Sequence, residues 1–523
     1  MTRSRADAAP ASAARPLWSA WSAPAVLAIV GLYLLLHLLL RLAFGGALGF
    51  DDAEQALFAQ AFEPGYRLVQ PPLYTWLLLG CFELFGVNLF AAILPRYLLL
   101  GVTFLAMYQV GWMWTRDRRG AALAVFAHAL IYVFAYYAHH DLTHTTALGA
   151  GIALTFLAFA HIVERPASHL AYAGLGLAMA VGVLGKWNYV LLALGLPLAC
   201  LLHPAFRRLV LTPRVLTTLA VLLALTVPTG LWVLDQPGEP GGVMTTTLED
   251  PDSGGRDILG GTLALIGATL LFPMPFLAVA LPLFGRSMLR GWRRWRAEAE
   301  PVAPVTPRFL ALLIGVVLAL HWLLVPLAGA ASFTARWMHP ALMILPVLVF
   351  QLAARGDPDR RAVRAYLVLV ALAVVLVVGA RTVRHVLGAD HCGRCREMAP
   401  FDELADALRQ TGFERGTIVG DGYHIAGNLR MRFPDSRVLE PGSRRGVFPG
   451  PTGEGGCLAV WQSGIRASAA GAARVRQYLV AELSVPADAL MRYGEVTAPM
   501  HGSLSRTYTL GYGYLAPGAG DCR

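Results

Sequence analysis

Charge is scarce in this chain. Of 523 residues only 15% are charged and 56% are hydrophobic, whereas a soluble domain carries about 25% charged residues. That excludes an ordinary soluble protein and points to an integral membrane one. Bases outnumber acids 43 to 33, for a net charge of +10. Yet no basic stripe with interleaved stacking aromatics is present, so nucleic acid is not an expected partner. The arginines cluster beside apolar spans instead, which is the signature of membrane topology. There is no fixed-period repeat and no convincing cleavage site after the first apolar run. Met1 to Pro16 therefore reads as a cytoplasmic tail, and Ala25 to Phe44 as a retained first helix.

Cysteine is sparse too, with six in all. Cys81 and Cys200 fall in or near the membrane; Cys392, Cys395, Cys457 and Cys522 fall near the C-terminus. In an oxidising compartment those four predict one or two disulfides, with three pairings open. His391-Cys392-Gly393-Arg394-Cys395 is alternatively half a zinc site or a redox dithiol. It lacks a second Cys-x-x-Cys and the strand that precedes a thioredoxin-like motif.

Long apolar runs are what the chain has in quantity. A span needs about 20 apolar residues, and such runs lie at roughly 24–44, 88–114, 121–138, 146–163, 170–184, 189–203, 215–234, 258–285, 308–328, 337–354 and 364–381, about eleven helices. With Arg3, Arg5 and Arg15 inside, the basic segments at Arg116 to Arg119, Arg165, Arg207 to Arg214, Arg286 to Arg296 and Arg355 to Arg364 all fall on the cytoplasmic side. The opposite loops are acidic, aromatic or His-bearing: the Asp51 stretch, Tyr137 to Asp141, Lys186-Trp187-Asn188, Asp235 to Asp257, a mobile stretch that either gates lipid entry or merely connects, and Ser332 to His339. The chemistry is expected on that outer face of a bacterial inner membrane.

Beyond about His385 the apolar runs shorten. Strands are expected at Gly416 to Asp421, Ser436 to Glu440, Gly456 to Gln462, near Tyr493 to Val496 and at Arg506 to Tyr514; helices at Phe401 to Thr411, Ile425 to Phe433 and Ser468 to Leu483. The expected architecture is an all-α multi-spanning membrane domain (24–384) behind a tail (1–23), followed by a small extracytoplasmic α/β domain (385–523).

The densest polar stretch is Phe50-Asp51-Asp52-Ala53-Glu54-Gln55, followed by Gln70-Pro71-Pro72-Leu73-Tyr74-Thr75-Trp76. Carboxylates held near a bilayer cost about 2 to 4 kcal/mol each to desolvate, which makes them a functional site by default; the plainer reading is that they cap a short surface helix. The prolines end that helix and start another at Leu73. The acids thus belong to a folded, re-entrant loop.

These residues, with the Arg96 region, resemble the first outer loop of the polyprenyl-phosphate-sugar-dependent glycosyltransferases of the GT-C type. By pattern they are similar to glycosyltransferase family 39, which includes protein O-mannosyltransferases and the lipid A aminoarabinose transferase. The resemblance spans roughly Leu32 to Leu352. It implies a catalytic acidic pair at Asp51 and Asp52, where the relatives most often have Asp-Glu, a second outer-loop acid at Asp141, and a basic-aromatic pair at Lys186-Trp187. Gln70 replaces a cation that precedes the Pro-Pro in relatives acting on lipid A. The family mostly works without a metal.

The chemistry follows. A sugar on a polyprenyl phosphate has a good leaving group, so the enzyme must orient the acceptor, take its proton and stabilise the departing phosphate. Asp51 is the expected base, with Asp52 and Asp141 holding hydroxyls. Lys186, Arg336, His339 and Arg96 are the expected phosphate contacts. Glu54, Gln70, Tyr74 and His140 are expected to touch substrate. Each has a structural alternative: Lys186 snorkels, Arg336 anchors beside Trp337, Asp141 caps the helix starting at Leu142. His140 and His144, one turn apart beside Asp141, have ligand-like spacing, but no third fixed ligand is evident and no metal is expected. The expected reaction moves one sugar, with inversion, from an undecaprenyl-phosphate carrier to a lipid, envelope glycan or protein acceptor. The alternative is a lipid or sugar transporter; the outer-loop placement of the acids and the lack of inverted repeats count against it.

Overall fold

The computed structural model describes residues 21–236, 257–297, 304–393, 395–451, 455–463, 469–489, 491–517 and 521–522. The expected cytoplasmic tail up to residue 20 and most of the expected gating loop, 237–256, lie outside the described residues.

The protein is a multi-pass membrane protein. Six described helices are long and apolar enough to cross a bilayer. They are α1 (Ala23–Phe44), α4 (Leu89–Thr115), α5 (His144–Glu164), α7 (Val215–Leu234), α8 (Pro307–Ala328) and α9 (Arg360–Leu387). A seventh arises if Ala335–Leu342 and Leu345–Arg355, bent by 50°, count as one. The other runs expected to span are shorter or broken. Residues 170–184 form α6 (His169–Gly185), and 189–203 form the short helix Val190–Leu202. Residues 258–285 split at Pro273 and Pro275 into Ile258–Leu271 and Phe276–Ala297, because a proline withholds the N–H that would continue the ladder. Residues 121–138 break after Phe126, where the buried His128 Nδ1 bonds the Val125 carbonyl at 2.9 Å.

Two short helices lie between α1 and α4: α2 (Phe50–Phe58) and α3 (Leu73–Phe85). Small residues let α5 and α6 pack backbone to backbone. A Cβ on Gly151 would lie 2.4 Å from Gly182 Cα, and one on Gly185 would lie 3.0 Å from the Ala147 carbonyl carbon.

The C-terminal segment builds a five-stranded sheet ordered β2-β1-β3-β5-β4. Its strands are β1 (Gly416–Gly420), β2 (Arg437–Leu439), β3 (Gly456–Ser463), β4 (Arg492–Pro499) and β5 (Thr507–Leu515). β1 is parallel to β2 and β3; β5 is antiparallel to β3 and β4. The helix α10 (Tyr423–Arg432) crosses from β1 to β2. Disulfides join Cys392 to Cys395 and Cys457 to Cys522, choosing one of the three pairings the spacing leaves open.

The acidic helix α2 is wedged between the two halves. Ala47, Leu57, Phe58 and Tyr66 share a hydrophobic core with Phe401, Leu404, Ile425, Leu429 and Val438 of the C-terminal segment. Backbones touch where α10 crosses α2: a Cβ on Gly427 would lie 1.9 Å from the Ala53 carbonyl oxygen. Asn428 then bonds both polar groups of Leu48, accepting from its N–H at 2.8 Å and donating to its carbonyl at 3.3 Å.

Candidate active site

α2 begins with three N–H groups that no upstream turn can satisfy. The Asp141 carboxylate, arriving from the loop before α5, accepts from Phe50 N–H at 3.0 Å, Asp51 N–H at 3.0 Å and Asp52 N–H at 3.4 Å. Gly49 makes the approach possible, since a Cβ there would be 2.5 Å from the Asp141 oxygen. Asp141 thus caps α2 from a distant loop, placed in the field of the helix N-terminus. It does not cap the helix that follows it, and its carboxylate is taken up by backbone rather than turned to hydroxyls. Burial and the neighbouring Asp52 and Asp51 hold its carboxyl well above the ordinary range.

The acidic pair divides. Asp52 is buried and ion-paired with Arg96, itself fully buried. Arg96 also reaches the His140 carbonyl at 3.4 Å. Arg96 is therefore not turned towards a departing phosphate; it neutralises Asp52. Asp51 is half-buried and, among the described residues, forms no ion pair, while the charges of Arg336 and Lys186 act on it. Burial, then the like charges of Glu54 and Asp52, push its carboxyl up to about 6, against the pull of the two cations. That value suits a base near neutral pH.

Lys186 follows directly on α6, and its ammonium donates to Thr145 Oγ1 at 2.9 Å. The close α5–α6 packing aims it inward, so it does not snorkel. Burial and Arg336 lower it to about 8, with Asp51 opposing. It is also the only lysine in 523 residues. Arg336 is exposed on the turn Ala335–Met338. His339 is buried beneath that turn: Nδ1 is 2.7 Å from the Arg336 carbonyl, and its ring packs edge-on to Phe134 and Phe272. It props the turn and does not face outward with Arg336.

The remaining expected residues scatter around this cluster. Glu54 is buried and paired with Arg67, whose guanidinium stacks 4.8 Å from the Tyr423 ring centroid. Tyr74 is fully buried next to His144, with ring centroids 6.1 Å apart. Among the described residues the Tyr74 hydroxyl, Gln70 Oε1 and Asp52 Oδ2 are buried without a hydrogen-bond partner. His140 points elsewhere, with Nε2 3.3 Å from Arg384 and Nδ1 3.6 Å from Glu397. The ligand-like spacing of His140 and His144 thus does not bring the rings together. Among the described residues no three His, Cys, Asp or Glu side chains gather as metal ligands.

Sequence reasoning passed over Arg67, Thr145 and Asn428. Nothing local marks Thr145 or Asn428, whose partners lie in distant elements. The solitary lysine was a readable signal for Lys186.

Comparisons with known proteins agree on one class. A family model described as dolichyl-phosphate-mannose-protein mannosyltransferase matches residues 69–232, a stretch with Gln70, Tyr74, Arg96, Asp141 and Lys186 but not the Asp51 turn. The lipopolysaccharide core galacturonosyltransferase RgtA of Rhizobium johnstonii is 28% identical over 510 residues, covering 94% of this chain and 97% of that one. RgtB of the same organism, also a lipopolysaccharide core galacturonosyltransferase, is 28% identical over 446 residues, covering 83% and 86%. The crystal structure of ArnT from Cupriavidus metallidurans bound to undecaprenyl phosphate aligns with TM-score 0.57 at 15% identity, covering 94% of this chain and 98% of that one. At that identity the likeness is one of fold. None of these relatives is a transporter.

Proposed function

We propose that this chain, a glycosyltransferase of the GT-C fold, moves one sugar from a polyprenyl-phosphate carrier to an envelope glycan or lipid at the outer face of the bacterial inner membrane. One observation carries the reading. A half-buried carboxylate pushed up to about 6, Asp51, lies in the field of two cations, Lys186 and Arg336, beside a membrane bundle. Inverting transfer from a lipid phosphate can use such a set: a base for the acceptor and cations for the departing phosphate.

In this reading the acceptor oxygen attacks the anomeric carbon as the bond to the carrier phosphate breaks. Asp51 takes the acceptor proton, and Lys186 and Arg336 receive the negative charge gained by the leaving phosphate. Such fixed cations stabilise a transition state by several kcal/mol. Asp52 and Asp141 act as positioning residues, one through Arg96 and the other through the α2 N-terminus. In this proposal residues 24–384 form the catalytic membrane domain, and 385–523 an outer domain that holds α2 from the far side. The names of the relatives, both acting on the lipopolysaccharide core, favour a uronic acid as the sugar and a core oligosaccharide as the acceptor.

The test is transfer of label from radiolabelled undecaprenyl-phosphate sugars in membranes holding wild type or Asp51→Asn, with a chelator in a parallel arm. Carrier-dependent transfer that vanishes in Asp51→Asn and survives chelation supports the mechanism. Equal transfer by the variant removes Asp51 from the base role. No transfer from any lipid-linked sugar ends the reading.

A further inference from the structure

A second polar cleft, small and with about 40 Å³ of enclosed space, opens where the ends of α1 and α9 meet the C-terminal segment. Its charged lining comprises Arg41, Arg381, Arg384 and Glu397, together with His140 and the backbone at Gly49. Arg384 pairs with Glu397 at 3.2 Å. Among the described residues the other two guanidiniums form no ion pair; the charges of Asp52 and Glu397 act on Arg41, but those acids are paired with Arg96 and Arg384. Arg41, 6% exposed, donates to the carbonyls of Gly45 at 2.6 Å and Ala47 at 2.8 Å. Arg381, 8% exposed, contacts His37 Nδ1 at 2.7 Å and donates to the His139 carbonyl at 3.0 Å. Each guanidinium carries five N–H donors in a fixed fork that fits a carboxylate. Two buried cations beside two acids that are each already engaged by another arginine leave a surplus of positive charge, and burying charge without its own counter-ion is costly.

The cleft adjoins the reacting groups. Gly49 lines it and is the residue before α2, two positions ahead of Asp51; His140 lines it and precedes Asp141. Its enclosed space, about 40 Å³, admits a carboxylate-sized group and leaves the sugar ring at its mouth. The transferred sugar's anomeric carbon belongs at Asp51 and its phosphate at Lys186 and Arg336, so a further anionic group within one sugar ring is the natural occupant.

We propose that this cleft binds the carboxylate of a uronosyl residue, with Arg381 and Arg41 as its anchors, and so selects an acidic over a neutral sugar. This rests on the transferase reading above. The carboxylate comes either from the donor sugar or from an acidic sugar of the acceptor.

Saturation-transfer NMR on the full chain in lipid nanodiscs, with galacturonate and galactose as probes, tests it without turnover. Galacturonate is expected to bind tenfold or more tighter than galactose, as befits loss of a charge-assisted hydrogen bond. Arg381→Gln should erase that preference, and Arg381→Lys should restore only part of it because the fork is lost. Glu397→Gln, which removes the competing acid without disturbing either anchor, should strengthen galacturonate binding and carries the test if Arg381→Gln fails to fold. Equal binding of the two probes, or a preference unmoved by Arg381→Gln and Glu397→Gln, overturns the proposal. Kinetics assign the source: a KM shift for uronosyl against hexosyl donors places the carboxylate on the donor, and a shift for acidic against neutral acceptors places it on the acceptor. Galacturonate binding through Arg381 with no transfer from any lipid-linked sugar would sink the transferase reading and leave this site standing. Equal turnover of hexosyl and uronosyl donors with no galacturonate preference would do the reverse.

Discussion

The two carboxylates at the start of α2 are neighbours in sequence and opposites in environment. Asp52 is buried against Arg96, its charge spent inside the fold; Asp51 is half-open and, among the described residues, unpaired, in the field of Lys186 and Arg336. A helix turns about 100° per residue, so consecutive residues face different surroundings. A pair of acids in a motif can therefore be one structural group and one chemical group.

Asp51→Asn should break the comparison most visibly. Transfer from a labelled carrier should fall by about 10² to 10⁴-fold, the usual worth of a positioned base, while thermal unfolding stays close to wild type. If Asp52→Asn abolishes chemistry and Asp51→Asn does not, the division of labour is reversed. Arg96→Leu should act on stability instead, costing about 3–5 kcal/mol because it leaves Asp52 a buried unpaired charge. Adding Asp52→Asn to Arg96→Leu should recover much of that loss in an unfolding assay. A near-normal midpoint for Arg96→Leu alone would mean that Asp52 is not charged there.

The pH profile sharpens the same contrast. The Asp51 carboxyl, pushed up to about 6, takes a proton as pH falls, so kcat/KM should decline below about pH 6. Lys186, lowered to about 8, loses its proton as pH rises, so the rate should decline again above about pH 8. Lys186→Arg should flatten the alkaline limb alone, since arginine stays protonated throughout. As the only lysine, Lys186 can also be acetylated selectively beside the N-terminal amine. Peptide mapping should show it protected by polyprenyl phosphate; labelling at the same rate with and without the lipid would move the phosphate elsewhere. The smallest effect is expected from Asp141→Asn, about 1 kcal/mol for a weakened cap.

Much of the fold was legible because its signals are local. Short apolar runs marked four of the five strands within one position and the start of β4, whose last three residues they missed, and longer apolar runs marked the six long helices. The breaks were harder to read. Hydropathy carries Leu259 to Leu283 through as one span, and only the backbone chemistry of Pro273 and Pro275 divides it. Asp51, Lys186 and Arg336 could be named because each lies in a loop that the positive-inside pattern puts on one face. The duties of Asp141 and Arg96 could not be read so easily. A cap supplied from 90 residues away, and an ion pair 44 residues apart, leave no trace in spacing. Arg381 and Arg384 were not singled out at all, since their partners His37, His139 and Glu397 lie in other elements.

The contact between Gly427 and Ala53 has a consequence for how the protein can be divided. A chain cut after Leu387 would retain every transmembrane helix described here, along with Asp51, Lys186 and Arg336. It would lack the surface against which Leu57 and Phe58 are buried, and the Asn428 clasp on Leu48. The helix bearing Asp51 would then be an apolar flap at the bilayer edge. The helical part and the C-terminal segment thus share one core through α2, and a cut between them is expected to loosen the helix that carries Asp51.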